Sequence, residues 1–293
     1  MDNLSKMESP NFKYSKRTLR IFTYAETEAK KTNSIVYPIH LLIGTLIERT
    51  GVCSELHSKY PDLLDILIEH SLKKHPSCEQ IPGCPPFSRP LSISTKQVLD
   101  HAFQAMERYN QIYINEGLII KSIMNLPETL TTSVKDALDM EGILGIMSVP
   151  RDMIVPLKNY SFPSMNYGKA DIRKAGNDLA GALLIDFVRS NFGQAWLDSI
   201  NNGLRNEKNP IYIAYINGKI VGFACFDSVQ NKKGVFGPMG TAKTERVKGI
   251  GTQLLHHCLH EMKETGYEYA IISEAGPLEF YEIACGAVVI PKA

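Results

Sequence analysis

The segment Arg246-Val247-Lys248-Gly249-Ile250-Gly251-Thr252 carries the most chemistry in its spacing. Glycines two apart let the chain turn tightly, and an apolar-periodic run with Leu254, Leu255, Cys258, Leu259 and Met262 follows directly. At the start of such a helix, successive backbone N–H groups and aligned peptide dipoles favour negative charge. Arg246 and Lys248 add cationic partners. The turn is therefore expected to cradle an anion of the pyrophosphate type. Just upstream, Gly237-Pro238-Met239-Gly240-Thr241-Ala242-Lys243-Thr244 comes one residue short of a P-loop. Ala242 stands where that motif needs a glycine so that backbone can wrap a phosphate. A P-loop module would also need a Mg²⁺-coordinating acid downstream and roughly 200 residues, so an ATPase is not expected.

Other reactive types are less well arranged. His70-x4-His75-x2-Cys78-x5-Cys84 has zinc-capable residues, but the spacing matches no usual tetrahedral site, and no metal is expected. His256 and His260 share a helix face at i, i+4; with no paired acid they read as solvated surface. No cysteine has the His and Asn/Asp neighbourhood of a nucleophile.

The elements that must position these groups fall into two halves. In the first, a shift of 77 residues lays Thr18 over Thr95, Ala25 over Ala102, Leu41 over Leu118, Ile43 over Ile120 and Leu46 over Ile123, without a gap for about thirty residues. Each copy reads as helix, short turn, helix. Phe22, Ala25 and Ala29 form one apolar stripe, Pro38 opens a second helix, and Pro61 opens a third over Asp62–Lys73. Five prolines between His75 and Leu91 separate the copies.

From Pro150 the pattern alternates β and α. Met153–Leu157 reads as a strand, and Lys169–Arg189 and Gly193–Leu204 as helices. Ile211–Ile216 and Lys219–Phe226 flank an Asn217-Gly218 turn, the strongest local hairpin signal. A strand near Gly234–Gly240, the glycine turn and its helix come next. Tyr269–Ser273, a short helix over Leu278–Cys285 and a last strand at Ala287–Ile290 complete the pattern. Two domains, 1–148 and 149–293, are expected.

Composition excludes several classes. The 293 residues carry 32 basic and 31 acidic side chains, split 16 to 17 up to Ser148 and 16 to 14 beyond it, so neither half has the excess that nucleic-acid binding needs. No apolar run approaches the ~20 residues of a membrane span. A polar amino end and six scattered cysteines fit a cytoplasmic chain with reduced thiols.

Two resemblances follow from these motifs. Residues 15–147, with Ile35-x4-His40-Leu41-Leu42-Ile43 at the centre of the first copy, resemble the double repeat of the amino-terminal domain of Clp-type chaperone ATPases. That implies an all-α domain that docks protein substrates or adaptors and does no chemistry. Ile39 replaces the Glu that usually precedes the His, and Gly117 replaces the His after Glu116. Residues 150–293 resemble the GNAT N-acetyltransferases, whose signature Arg/Gln-x-x-Gly-x-Gly/Ala lies between a strand and a helix. That implies an α/β (α+β) fold with a mixed sheet and acetyl-CoA as co-substrate.

The GNAT resemblance implies roles residue by residue. Met239, Gly240 and Thr241 fall where backbone meets the pantetheine arm. Arg246, Val247, Lys248, Gly249, Ile250, Gly251 and Thr252 fall where the pyrophosphate sits. Tyr281, in Phe280-Tyr281-Glu282, falls where a phenol protonates the departing thiolate, as a group of pKa about 10 can. An attacking amine must lose a proton, and Glu274, at the carboxyl end of a strand, is the first candidate base; Glu279 and Asp227 follow. Substrate contacts are expected from Lys169–Leu204, where Phe192, Trp196 and Asp198 stand out, although Trp196 by default fills the core. The reaction expected is direct transfer to a primary amine, small molecules and amino sugars being favoured. The alternatives are a non-catalytic acyl-CoA-binding or adaptor protein of Clp-type proteolysis, and a protein acetyltransferase whose substrate the helical domain delivers. Departures are Glu274 in place of a usual Asn, an extra Cys285 before Gly286, Ala287 in place of a usual Phe, and one terminal strand lost or supplied otherwise.

Overall fold

The structure, a computed structural model, describes residues 13–73, 79–109, 111–126, 130–164, 170–176, 179–245 and 249–292. The chain divides into two compact units, Met1–Val149 with Pro291–Ala293, and Pro150–Ile290.

The first unit consists mainly of helices. They are α1 (Lys16–Ala29), α2 (Pro38–Glu48), α3 (Val52–Lys59) and α4 (Leu63–Leu72), then α5 (Ile93–Arg108), α6 (Glu116–Asn125), α7 (Thr132–Asp136) and α8 (Met140–Met147). A two-residue ladder of β1 (Gln80–Ile81) and β2 (Leu91–Ser92) lies between the copies. The copies repeat in three dimensions, and three helices, α3, α7 and α8, add to the five expected from two per copy and the one that Pro61 opens. Ser15 caps α1 by accepting from Thr18 N, and Ser92, 77 residues on, caps α5 by accepting from Thr95 N. The copies also interlock. Ser15 N donates to Ile114 O and Ile114 N to Lys13 O, while Val36 N donates to Pro90 O and Ser92 N to Val36 O. The lead-in to each copy's first helix thus pairs with the lead-in to the other copy's second.

Both departures from the Clp-type pattern have a physical place here. A Cβ at Gly117 would stand 2.3 Å from Met147 O, so only glycine lets α6 meet the end of α8 that closely. Glu116 survives because it has a partner: Arg17 Nη1 donates to it at 2.5 Å, both side chains nearly sealed from solvent. Removing one member of such a pair costs about 3–5 kcal/mol. In the other copy the matching positions are Ile39 and, 77 residues after Arg17, Ser94, so neither charge is present.

The second unit is a mixed sheet. Its elements are β3 (Arg151–Pro156), β4 (Asp171–Lys174), α9 (Leu179–Phe192), α10 (Leu197–Arg205), β5 (Ile211–Ile216), β6 (Lys219–Phe226), β7 (Val235–Thr241), α11 (Ile250–Glu264), β8 (Tyr269–Ala275), α12 (Leu278–Cys285) and β9 (Val288–Val289). Strand order is β4-β5-β6-β7-β8-β3-β9, with β7 and β8 parallel and the remaining pairs antiparallel. One core lies between the sheet and α9–α10, from Leu184, Val188, Ile200, Ile211, Ile213, Phe223 and Cys225.

Two expectations need correction, and a third is decided between its alternatives. The helix expected over Lys169–Arg189 is an edge strand, Asp171–Lys174, followed by α9; Lys169 itself lies outside the described residues. Pairing with β5 decides that short polar stretch, which has no apolar stripe to hold a helix. The helix expected from Gly193 starts at Leu197, because Gly193 sits at φ +79° and ends α9 as a left-handed cap. The strand that was expected to be lost or supplied otherwise is supplied from the front of the unit: β3 lies between β8 and β9.

Candidate active site

The sheet splits at one place. β7 and β8 pair only at Val235–Ile271 and Phe236–Ile272. Beyond Phe236, β7 keeps its ladder with β6 alone, Met239 opposite Ala224, Gly240 opposite Phe223 and Thr241 opposite Gly222. The same ladder continues with Ala242 N donating to Val221 O at 2.8 Å. Antiparallel ladders alternate, so Gly240 exchanges bonds with Phe223, while the N–H and C=O groups of Met239 and Thr241 turn away from β6, toward the split. A one-residue bulge between Ala224 and Phe226 sets that parity.

The glycine turn meets this split. Gly249 caps α11 at φ +77°, ψ 2°, a left-handed conformation that glycine takes without penalty. Having no side chain, it offers the first-turn N–H groups no capping oxygen, whereas Ser15, Ser92, Asn115 and Asp139 cap α1, α5, α6 and α8. No acid stands in the first turn of α11. A Cβ on Gly251 would lie 3.7 Å from Phe280 Cζ and 3.9 Å from both Met239 Cε and Thr241 Cγ2. The start of α11, the end of β7 and α12 therefore converge. Ile250 is buried and can contribute only backbone, Thr252 is half-buried, and Arg246, Val247 and Lys248 lie outside the described residues.

Tyr281 reaches this region from α12. Its ring packs edge-on against Phe280 (4.9 Å between centroids) and Phe236 (6.3 Å), and the side chain is buried. The hydroxyl makes no hydrogen bond to a described residue. Burial, and next the Cys285 thiol, pushes the phenol far above its ordinary pKa and keeps it protonated. Phe280, which sequence reasoning left without a role, lines the convergence.

Glu274 lies at the bulged end of β8, its side chain exposed and its backbone at φ +51°. The Asp152 carboxylate on β3 accepts from its N–H at 2.8 Å. Left-handed backbone favours Asn over Glu, so the usual Asn at this place suits the conformation better than the residue present. Asp227 is engaged elsewhere: it accepts from Gly234 N (2.8 Å), Tyr267 Oη (2.7 Å) and Lys233 Nζ (3.5 Å), at the opposite end of β7. Glu279 is buried in α12. Phe192 lies flat against Gly240, whose Cβ would stand 2.4 Å from its ring, and stacks on Trp196 at 4.9 Å; both pack on the α9–α10 core. Asp198, at the start of α10, is exposed.

The histidines of α11 correct an expectation. His256 is buried, not solvated: its Nδ1 is 2.6 Å from Tyr160 Oη, and burial, then His257, lowers its pKa. Only His260 is exposed, against the edge of Phe162. Among the described residues, no group of three or more His, Cys, Asp or Glu side chains is placed to hold a metal. His75 and Cys78 lie outside them.

In a comparison with known families, residues 179–287 match the acetyltransferase (GNAT) family. The second unit carries a GNAT domain. Its β3 and β4 precede the matched residues. No curated protein matches the chain. Among solved structures, a fungal multi-domain β-N-acetylglucosaminidase with a GCN5-related glucosamine N-acetyltransferase region is similar at 17% identity over 55% of this chain, with a TM-score of 0.43. The match spans 22% of that protein. A GCN5-related N-acetyltransferase from Sphaerobacter thermophilus is 14% identical over 84% of this chain and 89% of its own, with a TM-score of 0.40. The helical half is similar to the N-terminal domain of the chaperone ClpD from Arabidopsis thaliana, at 21% identity over 48% of this chain and 96% of that one, TM-score 0.36. Among the described residues, no helix is long and apolar enough to cross a membrane.

Proposed function

We propose that the GNAT domain transfers an acetyl group from acetyl-CoA to a primary amine by direct attack in a ternary complex. The observation that carries this reading is the convergence of the start of α11 with backbone of β7 that faces the split. The residues fit the co-substrate. Amides from Gly249 to Thr252, free of any capping side chain, suit a pyrophosphate, with Arg246 and Lys248 supplying charge. The turned backbone of Met239 and Thr241 suits the amide-bearing pantetheine arm.

Acetyl-CoA, when bound, supplies the acetyl group as a thioester. The Met239 N–H, turned into the split, polarises the thioester carbonyl as charge develops on its oxygen. Tyr281, held protonated by burial, delivers its proton to the leaving sulfur. Glu274, exposed at the rim, accepts the amine proton directly or through water. The acceptor enters beside Phe192 and the start of α10. Small amines, amino sugars included, suit this rim, and the Clp-type unit serves as a docking domain for a protein partner.

Intact-mass and product analysis of a panel of amines incubated with acetyl-CoA and the full chain tests the reading. Acetylation of at least one amine, lost in Gly251→Asp, is the expected outcome. Acetyl-CoA binding without any acetylated product would favour the non-catalytic acyl-CoA-binding reading. Acetylation of proteins but of no small amine would favour delivery by the helical unit.

A further inference from the structure

The bulge that turns Met239 and Thr241 into the split is held by a residue outside the motif. Between Phe226–Phe236 and Ala224–Met239, two steps along β6 oppose three along β7. Take out the extra residue and the alternation of β7 reverses, pointing the N–H groups of Met239 and Thr241 at β6. Something must therefore fix the bulge at Gly237.

Ser228 is placed to do so. It is fully buried, and its hydroxyl donates to Gly237 O at 3.2 Å. Its own carbonyl accepts from Asn202 Nδ2 on α10 at 3.2 Å. The turn around it is strained: Asp227, Gln230 and Asn231, none of them glycine, sit at φ +54°, +50° and +56°. Such residues persist only where tertiary bonds over-determine them, and they gather where geometry matters to function. Here the bonds are known. Asp227 holds Gly234 N and Tyr267, Ser228 holds Gly237, and Asn202 holds Ser228.

We propose that Ser228 is a positioning residue that locks the register of β7 and so aims the Met239 and Thr241 amides at the pantetheine arm and thioester. Asn202 ties the same lock to α10, beside the acceptor entrance. This rests on reading β7 as the strand that holds the arm.

Calorimetric titration of the full chain tests it, using acetyl-CoA and, separately, adenosine 3′-phosphate 5′-diphosphate, which keeps the phosphates but lacks the arm. In Ser228→Ala, the acetyl-CoA Kd should rise about tenfold, as for one lost buried hydrogen bond, while the nucleotide Kd stays within about twofold. Ser228→Thr, which keeps the hydroxyl, should restore most of the loss. Should Ser228→Ala fail to fold, Asn202→Ala, changed at a half-buried side chain, should show the same split more weakly. An acetyl-CoA Kd unchanged in Ser228→Ala, or both ligands weakened alike, would return Ser228 to a purely structural role. If the wild-type chain binds acetyl-CoA no tighter than the nucleotide, the reading of β7 fails first, and this inference with it.

Discussion

Substitution of Gly251 separates stability from binding, because the structure gives the two effects opposite signs. Gly251 lies in the first turn of α11 with ordinary helical backbone, and a Cβ there meets its nearest atoms at 3.7–3.9 Å, normal contact distances. Gly251→Ala should therefore fold better than the wild type, by up to about 1 kcal/mol of helix propensity. In a unit of this size that is a rise in Tm of about 2–4 °C. Gly251→Asp should keep some of that gain, since a carboxylate in a first turn with no acid favours the helix by about 0.3–1 kcal/mol. The same carboxylate points toward Met239, Thr241 and Phe280, into the space proposed for the coenzyme. At about 5 Å from a phosphate charge and an effective dielectric near 20, the repulsion is about 3 kcal/mol, roughly a hundredfold in Kd. Thermal melting and isothermal titration with acetyl-CoA on the same samples read both effects. The loss should shrink as salt is raised. An unchanged Kd in Gly251→Asp would refute the placement of the pyrophosphate at α11, and a lowered Tm in Gly251→Ala would refute the helical geometry.

Tyr281→Phe removes a hydroxyl that bonds no described residue and keeps both ring contacts, so Tm should hold while turnover falls by about 10²–10⁴-fold if proton delivery limits the rate; full activity between about pH 6 and 9 would remove Tyr281 from the mechanism. A chain begun at Val149 keeps β3 and should bind acetyl-CoA, whereas one begun at Lys158 loses the fully buried Met153, Val155 and Leu157. At about 2–5 kcal/mol for each such side chain, that loss rivals a whole domain's stability, and soluble, binding-competent protein from the shorter chain would contradict the topology. Burial lowers the pKa of His256 and of His257. The unfolded chain thus takes up these protons first as pH falls through about 6.5, and Tm should fall below that pH while staying flat above it until about pH 8.5, where the thiols of Cys225, Cys258 and Cys285, raised by burial in the fold, ionise first in the unfolded chain. His256→Gln should flatten the slope; a Tm independent of pH between about 5 and 7 would contradict the burial of the ring.

Much of this was legible because local chemistry and tertiary structure agree. The 77-residue repeat shows in the helix caps at Ser15 and Ser92, and the Asn217-Gly218 hairpin joins β5 to β6 as its turn type requires. The start of α11 behind Gly249 was legible for the same reason, since a glycine in left-handed backbone at a helix start has a local cause. What sequence reasoning missed depends on partners far along the chain. Asp171–Lys174 is a strand only because β5 offers it an open edge, and His256 is buried only because Tyr160, about a hundred residues earlier, covers it. The bulge at Gly237 left no pattern at all, because a buried Ser228 is chemically indistinguishable from any loop serine until its partner is known.

The departures from the GNAT pattern gather at one end of the sheet, and the position of β3 connects them. Residues just past the helical unit, Arg151–Pro156, enter between β8 and β9, so β8 pairs on that side with a strand from the front of the unit. The register between the two strands slips between Arg151 and Met153, opposite Ala275 and Ile272, and Glu274 lies inside that slip. Its left-handed backbone would relax with Asn, yet the Asp152 carboxylate, which only β3 could bring there, captures its N–H and holds the conformation with Glu in place. The added Cys285 acts at the same end. It extends α12 to Gly286, whose φ of +66° caps the helix, and its thiol bonds back to Tyr281 O at 3.2 Å. β9 then starts late, is two residues long and pairs with β3. Glu274, Cys285 and β9 thus gather where β3 enters the sheet, while β7, the strand proposed to hold the pantetheine arm, pairs on the opposite side of β8.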